Sequence, residues 1–89
     1  SAGLTSPLKV RGQYLKNVGN DVIVLTRDGR KLHGVLEAVT EEDADGSFSF
    51  TVAVPTKVKE PGAKRPTTVM QPETFAVASV KSVVYDLKV

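Results

Sequence analysis

The sequence contains no cysteine, so neither a disulfide nor a thiolate metal site can hold the chain together. That composition fits a reducing compartment, and the expected location is the cytoplasm. No run of 18 or more apolar residues and no signal-peptide pattern is present, so no segment reads as a membrane-spanning helix. Histidine occurs once, at His33, with no second imidazole or thiol to complete a zinc site. The acidic stretch "EEDADG" at 41–46 lacks the spacing and closing glutamate of a calcium loop. There is no G-x-S-x-G elbow, no phosphate-binding glycine loop and no G-x-G-x-x-G. A chain of 89 residues leaves little room for a closed, water-excluding pocket. These absences argue against an enzyme, and the expectation is no catalytic residue, no cofactor, no metal and no small-molecule substrate. The five aromatics, Tyr14, Phe48, Phe50, Phe75 and Tyr85, include no aromatic–glycine pattern of the RNP1 kind. The chain opens with Ser1 and its one methionine is Met70, which fits either a processed chain or a domain of a longer protein.

What is present is a polarised charge distribution under a net charge of +2. Residues 1–35 carry net +4, residues 36–50 net −5, residues 51–72 net +3, and the remainder balances. The acids of the second segment include Glu41, Glu42, Asp43 and Asp45. The bases of the third are Lys57, Lys59, Lys64 and Arg65. One reading is solvated loops of opposite sign. The other is a basic surface for phosphate beside an acidic lip, since a few clustered Lys and Arg attract RNA without sequence preference. Lys9 and Arg11 are further phosphate candidates, and a protein partner fits the same residues.

The hydrophobic pattern predicts mostly strands. "SAGLTSPL", residues 1–8, reads as an extended linker or arm. Tyr14, Leu15 and Val18 share a helical face, predicting one short helix from about Gly12 with Gly19 as its C′ residue. "DVIVLTR" is β-branched and nearly continuously apolar, "DG" at 28–29 signals a hairpin, and "KLHGVLEAV" resumes as its antiparallel partner. His33 falls on the outer face of that strand. Gly34, in mid-strand, predicts a bend or a close approach. Glu41–Gly46 is a second turn. "SFSFTVAV" alternates, with Phe48, Phe50, Val52 and Val54 on the core side. "TKVKEPGAKRPTTVMQPE" is either a long hairpin loop or two strand extensions around a "PGAKRP" tip. "TFAVASV" and "KSVVYDLKV" complete five strands, joined near Ser79–Ser82 by a tight helical turn. Five short strands in a meander leave an apolar face unless they bend into a small barrel. The predicted fold is therefore mainly β, a small five-stranded barrel over residues 9–89 behind one short N-terminal helix.

Two family resemblances follow. "DGRKLHGVLEAV" resembles the first signature of Sm-like proteins: a hairpin turn, a mid-strand glycine and a following leucine. It implies a bent second strand in an SH3-like or Sm-like barrel. The polar Asp-x-apolar-Asn segment of Sm proteins and Hfq is replaced here by "EEDADGSF", and "ASVKSV" stands at their basic–glycine turn. An RNA-binding ring subunit of that kind is the alternative reading. "SAGLTSPL" is similar to the "SPGL-x-x-PL" motif of the ribosome maturation factor RimP family, with Ala2 in place of proline and Thr5–Ser6 in place of Asp-Arg. "QYLKNVGNDV", "DGRKLHGVLEAV", "KVKEPGAKRP" and "ASVKSVVYDLKV" continue the resemblance in order from Gly3 to Val89. The resemblance implies the C-terminal barrel domain of a two-domain protein, joined through residues 1–8 to an N-terminal α/β domain. It implies a factor that supports maturation of the small (30S) ribosomal subunit by non-covalent contact with a ribosomal protein and rRNA. In that role Glu41, Glu42, Asp43 and Asp45 would meet a basic partner. Lys9, Arg11, Lys57, Lys59, Lys64 and Arg65 would meet rRNA or protein. The expected solution state is a monomer.

Overall fold

The computed structural model describes residues 4–87. Along the chain come β1 (Leu4–Pro7), α1 (Arg11–Lys16), β2 (Asp21–Thr26), β3 (Lys31–Val39), β4 (Ser49–Val58), β5 (Thr67–Ala76), a 3-10 turn (Val77–Ser79) and β6 (Val80–Leu87). All strands join one antiparallel sheet in the order β1-β6-β2-β3-β4-β5. The five expected strands are there. The sixth, β1, lies in the segment read from sequence as an extended arm. It pairs with β6, and Leu8 behind it is buried in the core.

The expected closed barrel is corrected: the sheet is open, and no ladder joins β5 to β1 among the described residues. It is nevertheless strongly bent. A Cβ built on Gly34 would lie 2.4 Å from the Ala53 carbonyl oxygen and 2.5 Å from Val52 Cγ1. In a flat sheet a side chain points away from the neighbouring strand's backbone. Here the backbone and side chain of β4 close on Gly34, and only glycine leaves room for the approach. A register shift between Leu36 and Ala38 bends β3 further.

Side chains tie together what backbone ladders leave apart. Arg30, in the β2–β3 turn, donates two hydrogen bonds to Glu73 of β5, at 3.0 and 3.2 Å. Arg27 of the same turn donates to the Ala78 carbonyl in the 3-10 turn, at 3.0 Å. One end of the first hairpin is thereby clamped to the other side of the sheet.

The core lies on the concave face. Phe50 stacks on Phe75 (centroids 5.5 Å apart) and meets Tyr14 at 5.1 Å, while Tyr14 meets Phe48 edge-on at 5.2 Å. Val22, Val24, Leu36, Val52, Val80 and Val83 surround them. All three phenylalanines sit where alternation predicts. The helix differs from expectation: Tyr14 alone is buried, while Leu15 and Val18 are 45 % and 43 % exposed. Six residues give too short a helix to lay a continuous stripe on the sheet. Gln13 reaches back to accept from the Val10 N–H at its start, and the Asn17 side chain donates to the Gln13 carbonyl at its end. Gly19 keeps its positive φ of 95° but stands two residues past the cap, where its N–H donates to the Leu36 carbonyl. The helical turn before β6 forms at Val77–Ser79, slightly earlier than expected, so β5 stops at Ala76.

Candidate nucleic-acid interface

The two D-G turns share one frame. In the first, Thr26 N–H donates to the Arg30 carbonyl, Gly29 N–H to the Thr26 carbonyl, and Arg30 N–H to Thr26 Oγ1. In the second, Asp43 N–H donates to the Ser47 carbonyl, Gly46 N–H to the Asp43 carbonyl, and Ser47 N–H to Asp43 Oδ1. Gly29 and Gly46 supply the positive φ, 94° and 84°, that ends a three-residue hairpin loop. The acids beside these glycines work inside the turns. A hydrogen bond from Thr26 holds the Asp28 carboxyl below its usual range. Contact with the Asp43 carboxyl, and then hydrogen bonding to Ser47, does the same for Asp45.

The predicted acidic and basic sets thus divide. Asp43 and Asp45 brace their own loop. Glu41 is exposed and pairs with Arg11 at 3.5 Å. Glu42 is exposed. Arg11 is engaged: its Nε donates to the Thr40 carbonyl at 2.6 Å, so it belongs to the acidic loop rather than to a basic surface. Lys9 is exposed beside the helix start, with its own N–H on Gln13 Oε1. His33 is exposed on the outer face of β3, as expected.

The remaining four bases lie on a two-stranded arm. β4 and β5 pair along their whole length, from Ser49↔Ala76 to Val58↔Thr67. β3 reaches β4 only between Phe50 and Ala53, so from Val54 and Gln71 outward the ribbon has no third strand. Of the two readings the sequence allows for 56–73, the structure takes the strand extensions. Their tip turns at Glu60–Ala63, where Ala63 N–H donates to the Glu60 carbonyl at 3.0 Å and Gly62 has φ 82°. Proline followed by glycine at the centre of this turn suits type II geometry. The arm stretches the molecule to 49 Å along its longest axis. The radius of gyration is 14.6 Å, against about 12 Å for a compact domain of this length.

Lys57, Lys59, Lys64 and Arg65 are exposed on the outer part of this arm. None of them has an ion pair or a side-chain hydrogen bond among the described residues. Glu60 is the single acid beside them. Pairing places Lys57 and Thr68 on the face shared by Pro55 and Met70, while Val54, Thr56, Val58 and Val69 continue the core face outward. Val69 is 39 % and Met70 52 % exposed. This arrangement can take phosphates or another polyanion through exposed, unpaired cations.

Sequence reasoning missed one surface. Ile23, Leu25 and Val84 floor an open groove of about 340 Å³ on the outer face, with Lys31 and Ser82 beside them. Its signal is the unbroken "VIVL" of β2, a pattern of strands with apolar contacts on both faces. Among the described residues, no three His, Asp or Glu side chains come together as metal ligands would. No helix of the described residues is long and apolar enough to cross a membrane.

No family model matches the chain. No solved structure matches it. Curated relatives do. The chain is 36 % identical over 84 residues to "Ribosome maturation factor RimP" of Porphyromonas gingivalis, covering 94 % of this chain and 51 % of the relative. It is 36 % identical over 64 residues to the protein of the same name from Cytophaga hutchinsonii, covering 72 % of this chain and 35 % of the relative. The name these relatives carry is that of a maturation factor, not of an enzyme. Across nearly all of its length the chain is therefore similar to a C-terminal part of RimP, and it spans about half or less of the relatives it matches.

Proposed function

We propose that this chain is the C-terminal module of a ribosome maturation factor, and that it supports assembly of the small (30S) subunit by non-covalent contact with rRNA and ribosomal protein. The observation that carries this reading is the similarity to RimP over 94 % of the chain. The four unpaired cations on the β4–β5 arm agree with it, because precursor particles present a dense phosphate surface. In this reading Lys57, Lys59, Lys64 and Arg65 are the main rRNA contacts, with Lys9 subsidiary and Arg11 holding the acidic loop. Glu41 and Glu42 face a basic partner, while Asp43 and Asp45 set the shape of the loop that carries them. The open, side-chain-clamped sheet is read as an SH3-like or Sm-like half-barrel, acting as a monomer in the cytoplasm. In this reading an N-terminal α/β domain stands ahead of β1, in keeping with relatives about twice the matched length.

The test is co-sedimentation of the protein with immature small subunits from an assembly-arrested strain, with mature subunits as the comparison. Enrichment on immature particles is expected. Equal binding to both, or to neither, overturns the assignment.

A further inference from the structure

We propose that the β4–β5 arm binds paired RNA, gripping the phosphates of a duplex rather than the bases of a single strand. This rests on the rRNA reading above and names the class of RNA that the site takes.

Recognition of single strands depends on exposed aromatic rings on which splayed bases stack. The chain places its rings elsewhere. Phe48, Phe50, Phe75 and Tyr14 are buried together in the core, and Tyr85 is partly buried against it. The free length of the arm, from Val54 to Gln71, contains no aromatic residue. What it offers instead is charge at close spacing. Lys57 stands one row inside the end of β4, Lys59 directly beyond that end, and Lys64 and Arg65 just ahead of Thr67 where β5 begins. Lys57 and Lys59 come from one side of the ribbon and Lys64 and Arg65 from the other, so all four gather at its outer end. A duplex carries one phosphate per about 1.7 Å of axis, against about 3.4 Å along one strand. Cations gathered from both sides of the ribbon suit the denser array of phosphates that a duplex presents.

Polar side chains add to this on both faces, Thr68 beside Lys57 and Gln71 opposite. Thr68 and Gln71 are exposed along the arm and offer hydroxyl and amide groups to phosphate oxygens and 2′-hydroxyls. A-form RNA displays those groups across its wide minor groove, while its deep major groove stays closed to side chains. A ribbon with cations at its tip and no ring to insert therefore reads backbone shape.

The experiment is a pair of titrations on the 89-residue protein. One uses a hairpin RNA with a stem of about 16 base pairs, long enough to span two minor grooves. The other uses an unstructured single strand with the same number of phosphates. Each is run across a series of KCl concentrations, beside a variant with Lys57, Lys59, Lys64 and Arg65 all changed to Gln and a control with Lys16→Gln and Lys81→Gln. The hairpin is expected to bind at least tenfold more tightly. The arm variant is expected to lose that preference, with a salt slope reduced by about 3 on a log–log plot, while the control keeps both. Equal or tighter binding of the single strand overturns the inference. So does a salt slope that the arm variant leaves unchanged. If neither RNA binds, yet immature subunits still co-sediment and the arm variant releases them, the arm grips an acidic protein surface; this inference falls and the assembly role stands. If co-sedimentation also fails, the assembly role falls with it.

Discussion

The body of the sheet and the arm that leaves it use charge in opposite ways. In the body, ionic groups hold the chain to itself: Arg30 grips Glu73, Arg27 grips the Ala78 carbonyl, Arg11 grips Thr40 and Glu41, and Asp28, Asp43 and Asp45 close their turns. On the arm, four cations stand beside one acid with no partner among the described residues. Those groups of the body are already engaged within the chain and offer less to a ligand. The arm keeps its charges available, held by a two-stranded ribbon without a core of its own. A ribbon of two strands is marginal in isolation, so the arm depends on the body for its base and contributes little in return.

This contrast orders the effects of mutation. The largest expected effect is Gly34→Val, which drives a branched side chain into the Ala53 carbonyl and Val52. Overpacking against backbone costs about 3 kcal/mol or more, a large share of the stability of so small a domain, and circular dichroism should show a partly or wholly unfolded protein. Phe50→Ala comes next. It removes the ring shared by Tyr14 and Phe75 and should cost about 3–5 kcal/mol in urea denaturation. A loss below about 1 kcal/mol would move the core away from the aromatic cluster.

The clamp gives a smaller signal. Glu73→Gln should cost about 0.5–1 kcal/mol, because both partners are partly exposed, and the loss should shrink in high salt. Acid probes the turns. The pKa values of Asp28 and Asp45 are lower in the folded protein than the ordinary aspartate value. Their contribution is therefore complete above about pH 4 and is lost as pH falls through the folded values. Thermal melts from about pH 6 to about pH 2 should show the decline, and the double variant Asp28→Asn, Asp45→Asn should flatten it. Smallest of all is the effect of the arm on stability. Changing Lys57, Lys59, Lys64 and Arg65 to Gln should move unfolding by no more than about 0.5 kcal/mol per site while altering RNA binding. A large loss of stability there would erase the distinction between body and arm.

The features legible in sequence were those set by neighbours along the chain. The turns at Gly29 and Gly46 follow from a local demand for positive φ, and Phe48, Phe50 and Val52 follow from strict alternation. The bend at Gly34 was readable because a glycine inside a strand needs a reason. What escaped depends on distant partners. Arg30 and Glu73 are 43 residues apart, and nothing local marks them as a pair. Arg11 looks like any surface base until the fold brings it to Thr40, 29 residues on. Leu15 and Val18 satisfied the helical spacing, yet a helix of six residues buries only Tyr14. "LTSP" has no alternation to advertise a strand, since the pairing of β1 is dictated by β6. For the arm, composition located the cations but could not choose between loop and ribbon. That choice is made by ten cross-strand pairs, which counting charge does not detect.

The placing of β1 has a consequence for how copies of the protein behave together. A sheet grows into fibres by adding strands at its rims, and this chain guards both. One rim is occupied by β1, a short strand that ends in Pro7, which has no N–H to offer an incoming strand. At the other, β5 carries Pro72, which has no N–H to donate, and beyond it the cations of the arm would have to approach their own likeness in a second molecule. The charge left unpaired on the arm thus also discourages polymerisation, and its protection fades as salt shortens the reach of repulsion.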